Sequence, residues 1–162
     1  MKRIKVVILN DIINEPYNAL FRELSKSKDY YFRVLFCFAN QKMIRRGMDF
    51  DLKILPKWQL PVRSGLQLAI NPTILIELFA FNPKIIIIMG WDLLSYWLAF
   101  LVAKITHKKI LIWSGSTFYE SSMQRKLTLP FVRYLTSHAD GCLVYGSRAR
   151  RYLISLGVKD EK

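Results

Sequence analysis

The 162 residues are 52% hydrophobic and 14% aromatic, with a formal net charge of +13. That length makes one domain of ordinary size, and that much apolar content excludes intrinsic disorder. Two cysteines exclude a disulfide scaffold, and with only two histidines, His107 and His138, no metal centre is expected. The basic excess is not a tail: residues 1–81 hold 13 basic and 7 acidic side chains, and residues 82–162 hold 12 and 5. Such a surplus implies an anionic partner, whether a membrane surface, a nucleotide or lipid phosphate, or nucleic acid.

The opening segment has an apolar run of only four residues, Val6 to Leu9, closed by Asn10 and Asp11. A secretory core needs about 7–15, so the start reads as cytoplasmic and Lys5–Leu9 as a first strand. After a polar loop, Pro16 suits the first turn of a helix, and Tyr17, Leu20, Phe21 and Leu24 share one helical face. Tyr30–Phe38 reads as a second strand, Gln41–Gly47 as a short basic helix or loop, and Leu52–Leu55 as a third strand. The stretch Leu60–Ala69, with Pro56 and Pro61 around it, is ambiguous. Asn71-Pro72 predicts a helix start, Asn as cap, running to Phe81 and stopped by Asn82-Pro83.

Residues 85–105 have the length of a membrane span. Four consecutive isoleucines, Ile85 to Ile88, instead predict a buried strand (Lys84–Met89), with Gly90 as the turn and Asp92 as cap of a helix to Thr106. An ionised Asp92 near mid-bilayer would cost about 2.5–3.5 kcal/mol. That helix is apolar almost all round, which predicts deep burial or cover from outside the chain. Lys108 and Lys109 follow it. Ile110–Trp113 is the fifth strand, Ser121–Thr136 a helix interrupted at Pro130, and Gly141–Tyr145 the sixth strand. Ser147 is read as the cap of a last helix with Ala149, Tyr152, Leu153 and Leu156 on one face, ended by Gly157.

Apolar strands alternating with helices predict an α/β fold: a doubly wound, mainly parallel sheet of about six strands with helices on both faces. Ligands then bind beyond the carboxyl ends of the strands, where the strand order reverses. That selects the loops Asn10–Pro16, Gly90–Asp92, Ser114–Glu120 and Gly146–Arg150. Neither GxGxxG nor GxxxxGK[ST] occurs, which argues against a dinucleotide fingerprint or a P-loop. Trp91 offers a stacking face for a sugar, or simply packs beside the helix start. The run Ser114, Gly115, Ser116, Thr117 suits a phosphate or a sugar hydroxyl, or makes an ordinary turn. Arg148, Arg150 and Arg151 crowd a helix start, against the macrodipole, as an anion site or a solvated basic face. No general base is fixed; Glu120 and Asp92 are the candidates, Glu120 serving equally as a first-turn carboxylate. Cys37 and Cys142 read as inert core thiols.

Three stretches, taken together, resemble the N-terminal half of a family 4 glycosyltransferase with the GT-B fold. They are Asn82 to Ile88 with Gly90-Trp91 and the helix ending Ala103-Lys104; Lys109 to Thr117; and Leu143 to Leu153 closing with Leu156-Gly157-Val158. The resemblance implies a Rossmann-like acceptor-binding domain over residues 1–157, with 158–162 starting a linker to a second domain. That domain would hold most of the nucleotide-sugar donor. It implies transfer with retention of anomeric configuration to a carbohydrate or lipid-linked acceptor, in polysaccharide or glycolipid synthesis, with no cofactor and no metal. Site residues on this side would be Asn10, Asp11, Tyr17, Gly90, Trp91, Ser114, Gly115, Ser116, Thr117, Gly146, Ser147, Arg148 and Arg150. Asn10-Asp11 replaces the family's Gly-Gly turn, and Ser114-Gly115-Ser116 replaces a frequent histidine. Glu15 and Glu23 share the spacing of the family's paired glutamates but fall on the wrong half. Expected partners are an anionic membrane surface, with the protein peripheral on its cytoplasmic side, and a chain carrying the donor domain. The alternative is a non-catalytic, membrane-associated binding or scaffold subunit of a two-chain enzyme. Nucleic acid fits less well, because the aromatics lie in strands and apolar helices.

Overall fold

The computed structural model describes residues 2–39, 48–61, 67–118 and 123–161. Eight strands and five helices follow in the order β1 (Ile4–Asn10), α1 (Glu15–Ser25), β2 (Tyr30–Phe36), β3 (Leu52–Ile54), β4 (Trp58–Pro61), β5 (Gln67–Ile70), α2 (Thr73–Phe81), β6 (Ile85–Ile88), α3 (Leu94–Ile105), β7 (Lys109–Ser114), α4 (Met123–His138), β8 (Gly141–Val144) and α5 (Ser147–Ser155). Six of the strands form one sheet in the order β3-β2-β1-β6-β7-β8. Every pairing in it is parallel. The chain builds outward from β1 to β3, crosses back, and builds outward again from β6 to β8. The order therefore reverses between β1 and β6, the Rossmann-like arrangement expected from the sequence.

Alternate residues of each strand feed two cores. Val6, Ile8, Val34, Phe36 and Ile87 face α1 and meet Phe21. Val7, Leu9, Leu35, Ile86, Ile88, Ile110 and Ile112 face the other way and meet α2 to α5, down to Val158. The four-isoleucine strand is buried because both faces are covered, Ile86 and Ile88 being fully enclosed. Residues 85–105 are thus a strand and a 12-residue helix. Among the described residues no helix is long and apolar enough to cross a membrane.

Several local expectations are corrected. The ambiguous stretch contributes a second, antiparallel pair, β4 with β5. Asn71 does not cap α2; Pro72 holds that position. The Asn71 side chain is fully buried instead and donates to the carbonyls of Cys37, Leu55 and Pro56, at 3.0, 3.3 and 3.0 Å. The Ser95 hydroxyl donates to its Oδ1 at 2.8 Å. Three carbonyls left over at the ends of strands outweigh the single N–H a cap would satisfy. The cap of α3 is Leu93 rather than Asp92, and that of α5 is Gly146 rather than Ser147. Pro130 stands inside a continuous α4. The proposed helix or loop at 41–47 lies outside the described residues, as do 121 and 122 at the expected start of the fourth helix.

The stop of α2 follows the sequence reading. Asn82 adopts the left-handed conformation (φ 50°), and its N–H returns to the Leu78 carbonyl. His107 makes the equivalent turn after α3 at φ 53°. At the amino edge of β8, Asp140 accepts from the Ile110 N–H at 2.9 Å and from Lys109 Nζ at 2.8 Å.

Candidate functional site

Because β1, β6, β7 and β8 are parallel neighbours, their carboxyl ends line one rim, with strands about 4.8 Å apart. The turns after them bring together Asn10 and Asp11, Gly90 and Asp92, Ser114 to Thr117, and Gly146 to Arg148, from across 139 residues of sequence. At the β1 end, Asn10 is buried, and its Oδ1 accepts from the Asp11 N–H at 2.9 Å. Its Nδ2 is buried without a protein partner. Gly90 follows β6 at φ 113°, a conformation that a side chain would strain. Tyr96 packs 3.8 Å from where a Gly90 Cβ would stand. The Tyr96 hydroxyl is likewise buried and unpartnered. Burial, then the neighbouring Cys37, Asp11 and Asp92, push its ionisation well up, so it stays a neutral donor. Two unpartnered buried polar groups thus flank the point of strand-order reversal. Asn18 Oδ1, in the first turns of α1, is a third buried atom of this kind.

The β7 turn is held from within. Ser114 is buried, and its Oγ accepts from the Ser116 N–H at 3.1 Å. Above it stands a cluster of rings. Trp113 lies 6.2 Å from Tyr17 and 5.8 Å from Tyr145, centroid to centroid. The Tyr145 hydroxyl donates to that of Tyr17 at 2.8 Å, which leaves the Tyr17 proton free to be given outward. Burial first, then this bond, raises the Tyr145 pKa. The Tyr145 ring covers Gly115 so closely that a Cβ there would stand 2.9 Å from it. Gly115 is therefore required by clearance, not by its backbone angles.

Some of the expected site residues are placed otherwise. Trp91 is buried, with its ring in the core, and its carbonyl accepts from Trp97 Nε1 at 3.0 Å. It offers no stacking face; the rings that stand at the rim are Trp113 and Tyr145, with Trp113 on the opposite face of the sheet. Arg150 sits at the rim helix but is committed to Asp160, 2.9 Å away. Arg148 and Ser147 are exposed there. Asp92 is exposed on the rim, and Glu120 lies outside the described residues. Cys37 is a free, buried thiol, pushed up to about 12 mainly by burial.

Sequence reasoning missed Trp113, Tyr145 and Tyr96. For the first two a signal was present. Trp113 stands one residue before the end of β7 and Tyr145 one residue after β8, both at rim turns, and Trp113 pairs in register with Leu143, two residues before Tyr145. Two aromatics on one sheet face at adjacent strand ends make a platform. Tyr96 carried no such signal, because a tyrosine inside an apolar helix reads as core. Among the described residues, no three His, Cys, Asp or Glu side chains lie together as a metal site.

No family model matches the sequence, and no curated protein does. Solved structures do match. One is a 2.2 Å crystal structure from Listeria monocytogenes assigned as a UDP-N-acetylglucosamine 2-epimerase, at TM-score 0.64 and 18% identity. The match covers 99% of this chain and 44% of that one. The likeness is one of fold: this chain has the sheet and helices of a little under half of that molecule.

Proposed function

We propose that this chain is the acceptor-side half of a glycosyltransferase of the GT-B type, similar to family 4. In this reading residues 1–157 bind a carbohydrate or lipid-linked acceptor along the carboxyl rim. The nucleotide-sugar donor is held mainly by a second domain or a partner polypeptide, and the chain alone transfers little or no sugar. The product belongs to polysaccharide or glycolipid synthesis at the cytoplasmic side of an anionic membrane.

The observation that carries the reading is the open ring cluster of Tyr17, Trp113 and Tyr145 beside the hydroxyl-bearing turn Ser114–Thr117. Aromatic faces take the C–H faces of a sugar, and nearby hydroxyls and backbone N–H groups take its oxygens. Arg148, exposed at the start of α5, suits a phosphate linking the sugar to a lipid or nucleotide. The absence of any glycine-rich phosphate loop after β1 fits a half that does not hold the donor. The matched epimerase is named for a nucleotide sugar, which supports the substrate class. Asp92, exposed in the β6 turn, is the rim carboxylate this reading takes as the candidate base.

The test is to supply the chain with a donor-domain polypeptide, a panel of labelled nucleotide sugars and a lipid-linked acceptor. Transfer that falls at least tenfold in Tyr17→Ala and Tyr145→Ala supports the reading. Acceptor binding with no transfer under any donor makes the chain a scaffold subunit. Conversion at C2 of the free nucleotide sugar, without transfer, makes it part of an epimerase and overturns the proposal.

A further inference from the structure

The outer surface of α2, α3 and α4 is unlike the rest of the molecule. On α3, Leu94, Leu101 and Ile105 stand outward in one stripe, Ile105 at 68% exposure, with half-buried Leu98 between them. On α2, Ile76 and Phe79 are 67% and 63% exposed; on α4, Phe131 and Tyr134 are 64% and 55% exposed. α4 packs on the flank of α3 ring to ring: Trp97 meets Phe131, and Phe100 meets Tyr134, each pair with centroids 6.2 Å apart. α2 packs directly on α3. An apolar surface of this size, drawn from three neighbouring helices, marks an interaction site.

Its charges are of one sign. Neither α3 nor α4 contains an acidic residue, and the one acid of α2, Glu77, is taken by Lys53 and Arg33. Lys104 stands over the Phe100 ring at 5.5 Å, Lys108 bonds Asn82 beside Phe79, and Arg133 is exposed on α4. Exposed leucine, isoleucine and phenylalanine with lysine and arginine around them, and no unpaired carboxylate within the three helices, match an anionic bilayer surface. Apolar side chains enter the acyl boundary while the cations meet the headgroups.

We infer that this α2–α3–α4 face is the surface by which the protein lies on an anionic membrane. The stripe runs the whole of α3, about 16 Å at 1.5 Å per residue, so the helix lies flat. The carboxyl rim then sits beside the lipid surface, where a lipid-linked acceptor presents its sugar. The inference deepens the membrane side of the proposal above, and its test contains no sugar, so its failure leaves the transfer assay untouched.

The experiment is sedimentation with vesicles of equal parts phosphatidylglycerol and phosphatidylcholine. The unaltered protein should bind, and binding should weaken as salt rises. Leu101→Asn with Ile105→Asn should lower partitioning about tenfold or more. Ile154→Asn, an exposed apolar side chain on α5, should leave it unchanged. Circular dichroism and melting of each variant separate lost binding from lost folding. Binding equally reduced by both variants, or by neither, overturns the assignment of this face. So does absence of binding by the unaltered protein. A dimer in solution that the Leu101/Ile105 variant dissociates would give the face to a second copy and likewise overturn it.

Discussion

The two sides of the sheet are covered by helices of opposite kinds. α1 buries Asn18 and Phe21 and turns Glu15, Ala19 and Glu23 to water. α3 buries Tyr96, Ala99, Phe100 and Ala103, yet its outward stripe is Leu94, Leu101 and Ile105. Both helices cover the same kind of strand surface, so strand packing does not require the second stripe. A helix apolar on both sides needs two apolar neighbours, and the described residues supply one. The inner faces of both helices fold the sheet; the outer stripe of α3 is carried on it.

The difference between the two faces shows most strongly on the α1 side. Phe21→Ala opens a hole against Phe36 and Phe50 and should cost about 3–5 kcal/mol in urea unfolding. Ile105→Asn, of similar apolar loss on the other face, should change stability by less than about 0.5 kcal/mol. Equal losses would mean that the stripe is part of the core. Next in size is Ser95→Ala. It leaves the Asn71 Oδ1 without its hydroxyl donor and the Asn71 N–H without its acceptor, both in a buried site, and should cost about 1–3 kcal/mol.

Gly115→Ala tests the rim. The new methyl group must push the Tyr145 ring aside and with it the hydroxyl contact to Tyr17, at about 1–2 kcal/mol of stability. Acceptor binding should fall with it; unchanged binding would remove the ring cluster from the site. The smallest effect is Asp140. Burial works against its ionisation, but Lys109 and the Ile110 N–H outweigh that, and its pKa is lowered. Its contribution is therefore present above the unfolded carboxylate range and lost as pH falls through the lower folded value. Asp140→Asn should lower stability at neutral pH by about 1 kcal/mol or less, with the difference from the parent vanishing in acid.

Much of the fold was legible because buried parallel strands leave a plain trace. Ile85–Ile88 between Asn82-Pro83 and Gly90 admits few other readings, and the amphipathic α1 fixes one face. The β4–β5 pair was not legible, since two prolines and mixed polarity obscure short antiparallel strands. Capping failed at Asn71 for a tertiary reason: three distant carbonyls needed its amide more than its own helix did. The rim loops were legible, because the strand-end rule depends only on strand order. Their contents were less so. Trp91 and Trp113 each lie beside a turn, but Trp91 stands beyond β6, and the left-handed turn at Gly90 rather than strand alternation sends its ring into the core. The exposure of Leu101 and Ile105 was half legible, since the all-apolar helix announced cover from somewhere without naming it.

The rim itself is tested most directly by mapping backbone amide shifts while titrating a short-chain analogue of a lipid-linked saccharide. Shifts confined to Asn10–Ile12, Gly90, Gly115–Thr117 and Tyr145–Arg148 are expected. Shifts centred on the opposite edge, at Ile4, Lys84 and Lys108, would contradict the account.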